Sequence, residues 1–417
     1  MPTLGFHYRD NVLHCEDVPL SAIAEKAGTP AFVYSANSIA DNYEAYSRAY
    51  GPAPHTVHYS VKANGSLGIL SLLARRGAGF DIVSGGELFR VLQAGGDPAR
   101  VVFSGVGKTA AEIDYAVGAG IAMFSCESEA ELGLLHQCAA RRQTQAPVAL
   151  RVNPDVSADT HPYIATGLRE HKFGIPIAQA EALYARAAAL PHLRVEGVSC
   201  HIGSQILDLG AFLDALHKVV ELVEALRRRG IPIRHLDLGG GLGVGYRPED
   251  ESPAIGDYMS ALLGELAGHD LHLHVEPGRS IVAQAGILLT TVLYRKQGPE
   301  KEFVIVDAAM NDLIRPALYK SHHEVIAVTR ADRPLVLADI VGPVCESGDF
   351  LARDRQMPAV EPGERLAVCT AGAYGFVLSS NYNARPRAPE VLVDGPDFTI
   401  IRDRESYADL IRGERAV

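Results

Sequence analysis

Reactive side chains recur in the first two thirds of the chain, each within or directly after a short apolar run rich in β-branched residues. Lys62 follows VHYSV, Asp81 lies in GFDIV, His201 follows VEGVSC, and Glu276 and Arg279 follow LHLHV. A lysine that forms a Schiff base needs a lowered pKa, which partial withdrawal of its amine from water provides. A single lysine after a strand is usually solvated or salt-bridged, so it is the convergence of these residues that predicts a site for an aldehyde cofactor.

Pyridoxal phosphate is the aldehyde that suits the other residues. Backbone N–H groups of Gly239–Gly243, together with Ser204 and the EPGR turn at 276–279, could bind its phosphate without side-chain obstruction. Glu276 could hold a proton on the pyridine nitrogen, which would make the ring a strong electron sink. This arrangement favours cleavage of a carbon–carbon or carbon–hydrogen bond.

Simpler interpretations stay open for some of these residues. His201 could stack on the ring or act as a structural hydrogen bonder, Arg279 could bind a carboxylate or belong to an ordinary ion pair, and GGGLGVG could be a flexible turn. Two nucleotide-binding motifs are excluded, since GGGLGVGY does not fit GxGxxG and Val102 stands where a P-loop ending in GVGKT needs glycine. His272 and His274 share one strand face without an evident third ligand, so we interpret them as structural and predict no metal site.

The elements that must position these residues repeat one pattern between about residues 55 and 280. Apolar runs alternate with stretches whose apolar residues recur at i, i+3 and i+4 spacing, such as 66–77, 129–142 and 213–230. The eight runs are HTVHYSVKAN, GFDIVSGGE, RVVFSGVGK, IAMFSCES, VALRVNPD, VEGVSCHIGSQ, HLDLGGGLG and LHLHVEPGRS. Eight such units predict an α/β fold, a (β/α)8 TIM barrel with its site at the carboxyl ends of the strands. An open doubly wound sheet would use about five or six strands and a glycine-rich first turn, whereas the first strand here ends in Lys-Ala-Asn.

After residue 281 the pattern changes to short alternating runs separated by Gly, Pro and Asp-Gly turns, which predicts an antiparallel β domain. The first 35 or so residues, with the strand-like AFVYS at 31–35, fall outside the eight units. We therefore assign 36–280 to the barrel and 1–35 with 281–417 to the β domain.

Two polar stretches of the β domain are candidates for ligand contacts. MNDLIRPALY (310–319) puts Arg315 and Tyr319 four residues apart, on one face of a helix, although a surface turn is the alternative. VCESGDF (344–350) places Cys345 beside Glu346 in a loop suited to proton donation and ammonium binding, although an isolated cysteine is usually buried and inert.

The composition excludes several classes of protein. The 417 residues are 47% hydrophobic, and 39 Lys and Arg stand against 50 Asp and Glu, a formal charge of -11 that disfavours nucleic acid and acidic membrane surfaces. The opening MPTLGFHYRD lacks a signal-peptide pattern, and no window approaches about 18 uninterrupted apolar residues, so we expect neither export nor a membrane span. Six scattered cysteines without a CxxC pair fit reduced thiols. We expect a cytoplasmic protein that acts on a small molecule.

Taken together, these motifs resemble the diaminopimelate decarboxylases, within the fold-type III pyridoxal-phosphate decarboxylases. The motifs follow the family's order over about residues 30–385 and are YSVKAN, FDIVSGGE, FSGVGKT, HIGSQ, DLGGGLG, EPGR, MNDLIRPALY, CESGD and AGAYG. The resemblance implies an alanine-racemase-like barrel followed by a β domain, in a homodimer whose sites combine one subunit's barrel with the other's β domain. It also implies conversion of meso-2,6-diaminopimelate to L-lysine and carbon dioxide, the last step of bacterial lysine synthesis.

The resemblance further implies roles for individual residues. Lys62 resembles the lysine that bonds to the cofactor, His201 the histidine that stacks on the ring, and Glu276 the partner of the pyridine nitrogen. Cys345, from the other subunit, resembles the proton donor. Further cofactor contacts are expected at Asp81, Ser204, Gly240, Gly241, Pro277, Gly278, Arg279 and Tyr374, and substrate contacts at Arg279, Arg315, Tyr319, Glu346 and Tyr374. The chain departs from the family pattern at Ser321 and His322, and in EHKFG (170–174).

Three alternatives share parts of this apparatus. A decarboxylase for ornithine, arginine or carboxynorspermidine would use the same cofactor residues, but the Arg315 motif and the Glu-Ser-Gly-Asp after Cys345 favour a substrate with a distal carboxylate. An alanine racemase would need arginine at the ring nitrogen, against Glu276. A non-catalytic pyridoxal-phosphate-binding homologue should have lost Lys62 or Cys345, and both are present.

Overall fold

The computed structural model describes residues 3–156 and 172–417. The chain divides into two compact units. One unit consists of Asn42–Val244 and Glu251–Ser280, and the other of Met1–Asp41, Gly245–Asp250 and Ile281–Val417. Glu170 and His171 of the EHKFG stretch lie outside the described residues. Within the described ranges, no helix has the length and apolar character needed to cross a bilayer.

The N-terminal elements begin with a small antiparallel sheet and end in a long helix. They are β1 (Phe6–Arg9), β2 (Val12–Cys15), β3 (Val18–Pro19), α1 (Leu20–Ala27), β4 (Ala31–Ser35) and α2 (Ala36–Tyr50). All five residues of β4 are buried, as expected for a strand in the interior of a sheet.

Eight parallel strands close into a barrel in the order β9-β11-β12-β13-β5-β6-β7-β8, with β8 paired back to β9. Each of the eight predicted runs overlaps one of these strands, so the predicted (β/α)8 barrel is confirmed. The strands are β5 (His55–Ser60), β6 (Gly79–Ile82), β7 (Val101–Phe103), β8 (Met123–Cys126), β9 (Ala146–Asn153), β11 (Leu193–Cys200), β12 (His235–Asp237) and β13 (His272–Val275), and the short β10 (Ile175–Pro176) adds to β9.

Helices follow the barrel strands, and several begin at side-chain caps that fix the strand-to-helix turns. Ser84, Thr109 and Ser128 each accept a hydrogen bond from a backbone N–H of the first helical turn. The turns therefore hold the carboxyl ends of the strands in place. The helices are α3 (Leu67–Ala74), α4 (Gly85–Gln93), α5 (Ala110–Ala119), α6 (Glu129–Arg141), α7 (Ile177–Ala189), α8 (Leu209–Arg228), α9 (Ile255–Glu265) and α10 (Arg279–Val282).

Histidines of strands β5, β12 and β13 form a hydrogen-bonded cluster. His58 Nε2 lies 2.7 Å from His274 Nδ1, and His274 Nε2 lies 2.9 Å from His235 Nδ1. His272 Nε2 is hydrogen-bonded to Thr56 Oγ1 at 2.9 Å. His272 and His274, interpreted from the sequence as structural, are thus both hydrogen-bonded to side chains of neighbouring strands. No group of three or more His, Cys, Asp or Glu in the described ranges has metal-binding geometry.

This cluster predicts a loss of stability in mild acid. Burial lowers the pKa of His58 from 6.5 to about 4, so between those values the unfolded chain binds a proton that the folded chain does not. Stability should therefore fall as the pH falls from 6.5 toward 4, by about 2 kcal/mol at pH 5 from His58 alone. We expect the thermal midpoint to drop between pH 7.5 and pH 5, and less steeply in His58→Gln. An equal pH dependence in the two proteins would contradict this.

The second unit contains a sheet in the order β18-β17-β15-β14-β4-β20-β21, with β19 paired to β14 and to β16. Most of its pairs are antiparallel, as predicted, but β15–β17 and β4–β20 are parallel. The sheet is thus mixed. The elements are β14 (Gly286–Gln297), β15 (Glu302–Val306), α11 (Arg315–Tyr319), β16 (Val325–Ala327), β17 (Leu335–Val341), β18 (Phe350–Pro358), β19 (Arg365–Val368), β20 (Glu390–Asp394), β21 (Asp397–Arg402) and α12 (Tyr407–Leu410).

Candidate active site

The carboxyl end of β5 presents Lys62 in a short 3-10 turn, paired with a buried aspartate. Lys62 Nζ donates a hydrogen bond to Asp81 Oδ2 at 2.7 Å, and Ser60 Oγ donates to the same oxygen at 2.9 Å. Asp81 is fully buried, whereas about a third of the Lys62 side chain is exposed (34%). The amine is therefore held at a fixed place and stays accessible to a ligand.

Two further buried carboxyl groups, Glu276 and Asp237, lie at the ends of the neighbouring strands β13 and β12. Ser104 Oγ donates to Glu276 Oε1 at 3.2 Å, and the Gly239 N–H donates to Asp237 Oδ1 at 2.8 Å. Burial raises the pKa of Glu276 well above its ordinary value, and the charges of Asp237 and Asp81 raise it further. The site therefore has three buried carboxyl groups for one lysine and favours a ligand that brings a positive charge.

Glycines after β12 and β13 let the backbone approach its neighbours more closely than a side chain would allow. A Cβ on Gly240 would collide with the Glu276 carbonyl oxygen, and one on Gly241, whose φ is +114°, would lie 2.5 Å from the Gly203 carbonyl oxygen. A Cβ on Gly278 would lie 2.9 Å from that of Ala63. These positions suit a backbone cradle for a phosphate. Arg279 Nη2 donates to Ser204 Oγ at 3.0 Å beside it.

His201 directly follows β11 and is held near the glycine run by a hydrogen bond with the Gly240 backbone. Burial lowers its pKa well below the ordinary value, and the charges of Arg151 and Lys62 lower it further. The ring is therefore neutral at physiological pH and can stack on an aromatic cofactor without bringing a charge to it.

Arg151, on β9, is a buried residue of this region that the sequence did not single out. Its Nη1 donates to Glu127 Oε1 at 3.0 Å, while Nη2 has no hydrogen-bond partner in the described part of the chain.

Glu131 accepts from the Glu127 N–H at 2.8 Å and from Lys108 Nζ at 2.6 Å. The lysine of GVGKT is therefore used in a buried ion pair, in keeping with the exclusion of a P-loop.

In the other unit, Arg315 and Tyr319 lie on the single turn of helix α11. Arg315 is buried, and its guanidinium carbon lies 4.8 Å from the centre of the Tyr246 ring. Arg315 Nε donates to His323 Nε2 and Nη2 donates to Ser321 Oγ, both at 3.3 Å. Ser321, where the chain departs from the family pattern, thus helps to orient the guanidinium.

Cys345 and Glu346 lie on an exposed loop that is pinned at its base. Asp349 Oδ2 accepts from the Val344 N–H and Oδ1 from the Met310 N–H, both at 2.7 Å. Cys345 is the exposed thiol among six free cysteines, and Glu346 accepts from the Tyr382 hydroxyl at 3.1 Å. The thiol and the carboxylate are therefore accessible and adjacent.

Tyr374, in the AGAYG motif, has a left-handed backbone with φ of 54°. A Cβ on Gly375 would lie 2.5 Å from the Ala371 carbonyl oxygen, so this turn admits little other than glycine there. A non-glycine residue held in the left-handed region often marks a functional position.

The structure thus joins the predicted residues in two sets. The barrel unit holds Lys62, Asp81, His201, Ser204, Gly240, Gly241, Glu276, Pro277, Gly278 and Arg279, and the other unit holds Arg315, Tyr319, Cys345, Glu346 and Tyr374. The barrel set fits pyridoxal phosphate, because it combines an accessible amine, an excess of buried carboxyl groups and a glycine cradle.

Known proteins resemble the chain over nearly its whole length. The family model of the pyridoxal-dependent decarboxylase pyridoxal binding domain matches residues 36–283. The diaminopimelate decarboxylase of Pseudomonas aeruginosa is 58% identical over 409 residues, 98% of each chain, and that of Vibrio cholerae 50% identical over 407 residues, 97% of each.

Two solved structures give the same result. Diaminopimelate decarboxylase from Helicobacter pylori complexed with L-lysine is 41% identical with a TM-score of 0.91, covering 94% of this chain and 98% of that one. The enzyme from M. jannaschii in complex with L-lysine is 36% identical with a TM-score of 0.95, covering 100% and 99%.

Proposed function

Because the chain belongs to the diaminopimelate decarboxylases, a family of pyridoxal-dependent decarboxylases, we propose that it converts meso-2,6-diaminopimelate to L-lysine and carbon dioxide. The observation that carries the proposal is the accessible Lys62 amine, held on Asp81 beside the buried Glu276 carboxyl group. The L-lysine in two similar solved structures is the expected product. The reaction is the last step of lysine biosynthesis.

Bound pyridoxal phosphate supplies an electron sink for the electron pair left when carbon dioxide departs. Lys62 would hold the cofactor covalently through its amine. Glu276 would keep a proton on the ring nitrogen, and the neutral His201 would pack against the ring. The residues that would bind its phosphate end are Ser204, Gly240, Gly241, Pro277, Gly278, Arg279 and Tyr374.

Substrate selection is assigned to charged and polar side chains. The distal end of the substrate carries both a carboxylate and an ammonium. The residues that bind it are Arg279, Arg315, Tyr319, Glu346 and Tyr374. Charge-assisted hydrogen bonds from an arginine to that carboxylate would be lost with ornithine, leaving a buried cation without its anion. The Cys345 thiol donates a proton to the carbon that lost carbon dioxide, which balances the reaction.

The working assembly is a homodimer in the cytoplasm. The exposed positions of Cys345 and Glu346 support a site to which the partner subunit contributes, since a proton donor works best away from water. Six free thiols support a reducing compartment.

Product analysis with a panel of substrates tests the proposal. The purified protein, supplied with pyridoxal phosphate, is offered meso-diaminopimelate, ornithine, arginine and carboxynorspermidine, and carbon dioxide is measured in each reaction. We expect release from diaminopimelate alone, with one lysine formed per carbon dioxide. Release from another substrate would overturn the assigned specificity, and none from any substrate would overturn the assigned reaction.

Arg315→Lys should separate substrate recognition from cofactor binding. Lysine keeps a positive charge but cannot form the bidentate hydrogen bonds of a guanidinium with a carboxylate. We therefore expect kcat/KM for diaminopimelate to fall about 10- to 100-fold, mainly through KM. The visible absorbance of the bound cofactor should not change. An unaltered KM would show that Arg315 does not contact the substrate.

A further inference from the structure

The structure contains a carboxyl group that none of the roles above uses. We propose that Asp237 is a positioning residue for the ring nitrogen, which acts through Glu276: by facing Glu276 it makes that carboxylate more basic and so keeps the cofactor protonated. This inference rests on the proposed function, because it requires pyridoxal phosphate in the barrel.

The backbone brings the two carboxyl groups together. Asp237 pairs with His274 in the register of β12 and β13, and Glu276 lies two residues further along. The Glu276 N–H donates to the Gly239 carbonyl oxygen at 2.7 Å, and the Gly239 N–H donates to Asp237 Oδ1 at 2.8 Å. The Asp237 and Glu276 carboxyl groups face each other closely enough to share a hydrogen bond when one of them is protonated.

The surroundings give this pair a high affinity for protons. Asp237 is fully buried, and burial raises its pKa to about 7. The titratable groups that face it are those of Glu276, Asp81, Lys62, Cys200, Tyr50 and Tyr258. Lys62 is the cation in this set, and it is already hydrogen-bonded to Asp81. The positive charge that would offset the repulsion between the Asp237 and Glu276 carboxylates is therefore a proton, either shared between them or carried by the ring nitrogen.

The same charges should oppose folding when the cofactor is absent. Because the folded-state pKa of Asp237 is raised, its contribution to stability is present below the unfolded pKa near 4 and is lost as the pH rises through about 7. The cofactor-free protein therefore carries its full electrostatic penalty at pH 8. Binding of a protonated ring should remove much of that penalty.

Asp237→Asn tests the inference, since asparagine keeps the acceptor for the Gly239 N–H and loses the charge. The probe is pyridoxine 5′-phosphate, which lacks the aldehyde and cannot bond to Lys62. We expect its Kd at pH 8 to be about tenfold higher in the variant, which corresponds to a loss of one pKa unit in the proton affinity of the site. The difference in Kd should be smaller at pH 6. Without cofactor, the melting temperature of the variant minus that of wild type should be larger at pH 8 than at pH 5.

Two further variants make the result specific. Asp312→Asn removes another buried aspartate whose pKa is raised, to about 6, but which lies in the other unit, so it should leave the Kd unchanged. In Glu276→Gln, adding Asp237→Asn should have no further effect on the pH dependence of binding. If Asp237→Asn does not fold, Asp237→Ser carries the same expectation.

The outcomes separate the inference from the function on which it rests. Equal Kd values for wild type and Asp237→Asn at pH 8 would overturn the role of Asp237 and leave the proposed function intact. A wild-type protein that binds neither pyridoxal phosphate nor the probe would instead overturn the proposed function.

Discussion

Lys62→Ala should abolish the visible absorbance of the bound cofactor and lower kcat by about 10⁴-fold or more, since no other group replaces a covalent attachment point. Asp81 is fully buried, and Lys62 is the cation hydrogen-bonded to it, so the variant should also be less stable than wild type. Absorbance spectra, turnover and thermal unfolding of the same preparation measure the three effects.

Lys62→Arg is the matched control for charge. Arginine keeps a cation beside Asp81 but cannot bond to the aldehyde, so it should recover stability without recovering absorbance or turnover. Recovery of turnover in Lys62→Arg would show that Lys62 acts through its charge, and the covalent role would be wrong.

The barrel was predictable because its signal is local. Each parallel strand is a short apolar run, such as Val101–Phe103, followed by a helix, and this unit recurs eight times. The mixed character of the other sheet was not predictable in the same way. Whether β15 pairs parallel to β17 depends on how the chain returns between them, and no residue of either strand encodes it.

Side chains at the site were predictable where a motif carried them. Lys62, Asp81 and Glu276 were placed at the ends of strands, and the structure joins them directly or through Ser60, whose hydroxyl contacts both Asp81 and the Glu276 carbonyl oxygen. Asp237 lies inside the DLGGGLG motif, in which the glycines beside it carry the stronger signal. Its signal was an acidic residue among apolar neighbours of a buried strand.

Residues that act only through distant partners left no signal in the sequence. His58 and His274 are hydrogen-bonded across 216 positions of the chain, so periodicity within one segment could not pair them. Arg151 likewise depends on Glu127, 24 residues away, for its orientation. Pairing of β13 with β5 creates the first contact, and pairing of β8 with β9 creates the second.

The second large effect concerns Cys345. Cys345→Ala should lower turnover by about 10²- to 10⁴-fold, the usual contribution of a positioned proton donor, while the absorbance of the bound cofactor persists. The thiol belongs to the unit that does not contain Lys62, and its loop is exposed. Cys138→Ala removes a buried thiol outside the site and should retain activity.

Mixing the two inactive variants distinguishes a shared site from one built within a single chain. If Cys345 serves the partner's barrel, a dimer of one Lys62→Ala and one Cys345→Ala subunit contains one site with both groups intact. Random pairing of equal amounts makes half of the dimers mixed, so about a quarter of wild-type activity should return. If Cys345 serves its own barrel, every site lacks one group and no activity returns. The recovered fraction therefore reports which subunit supplies the proton donor.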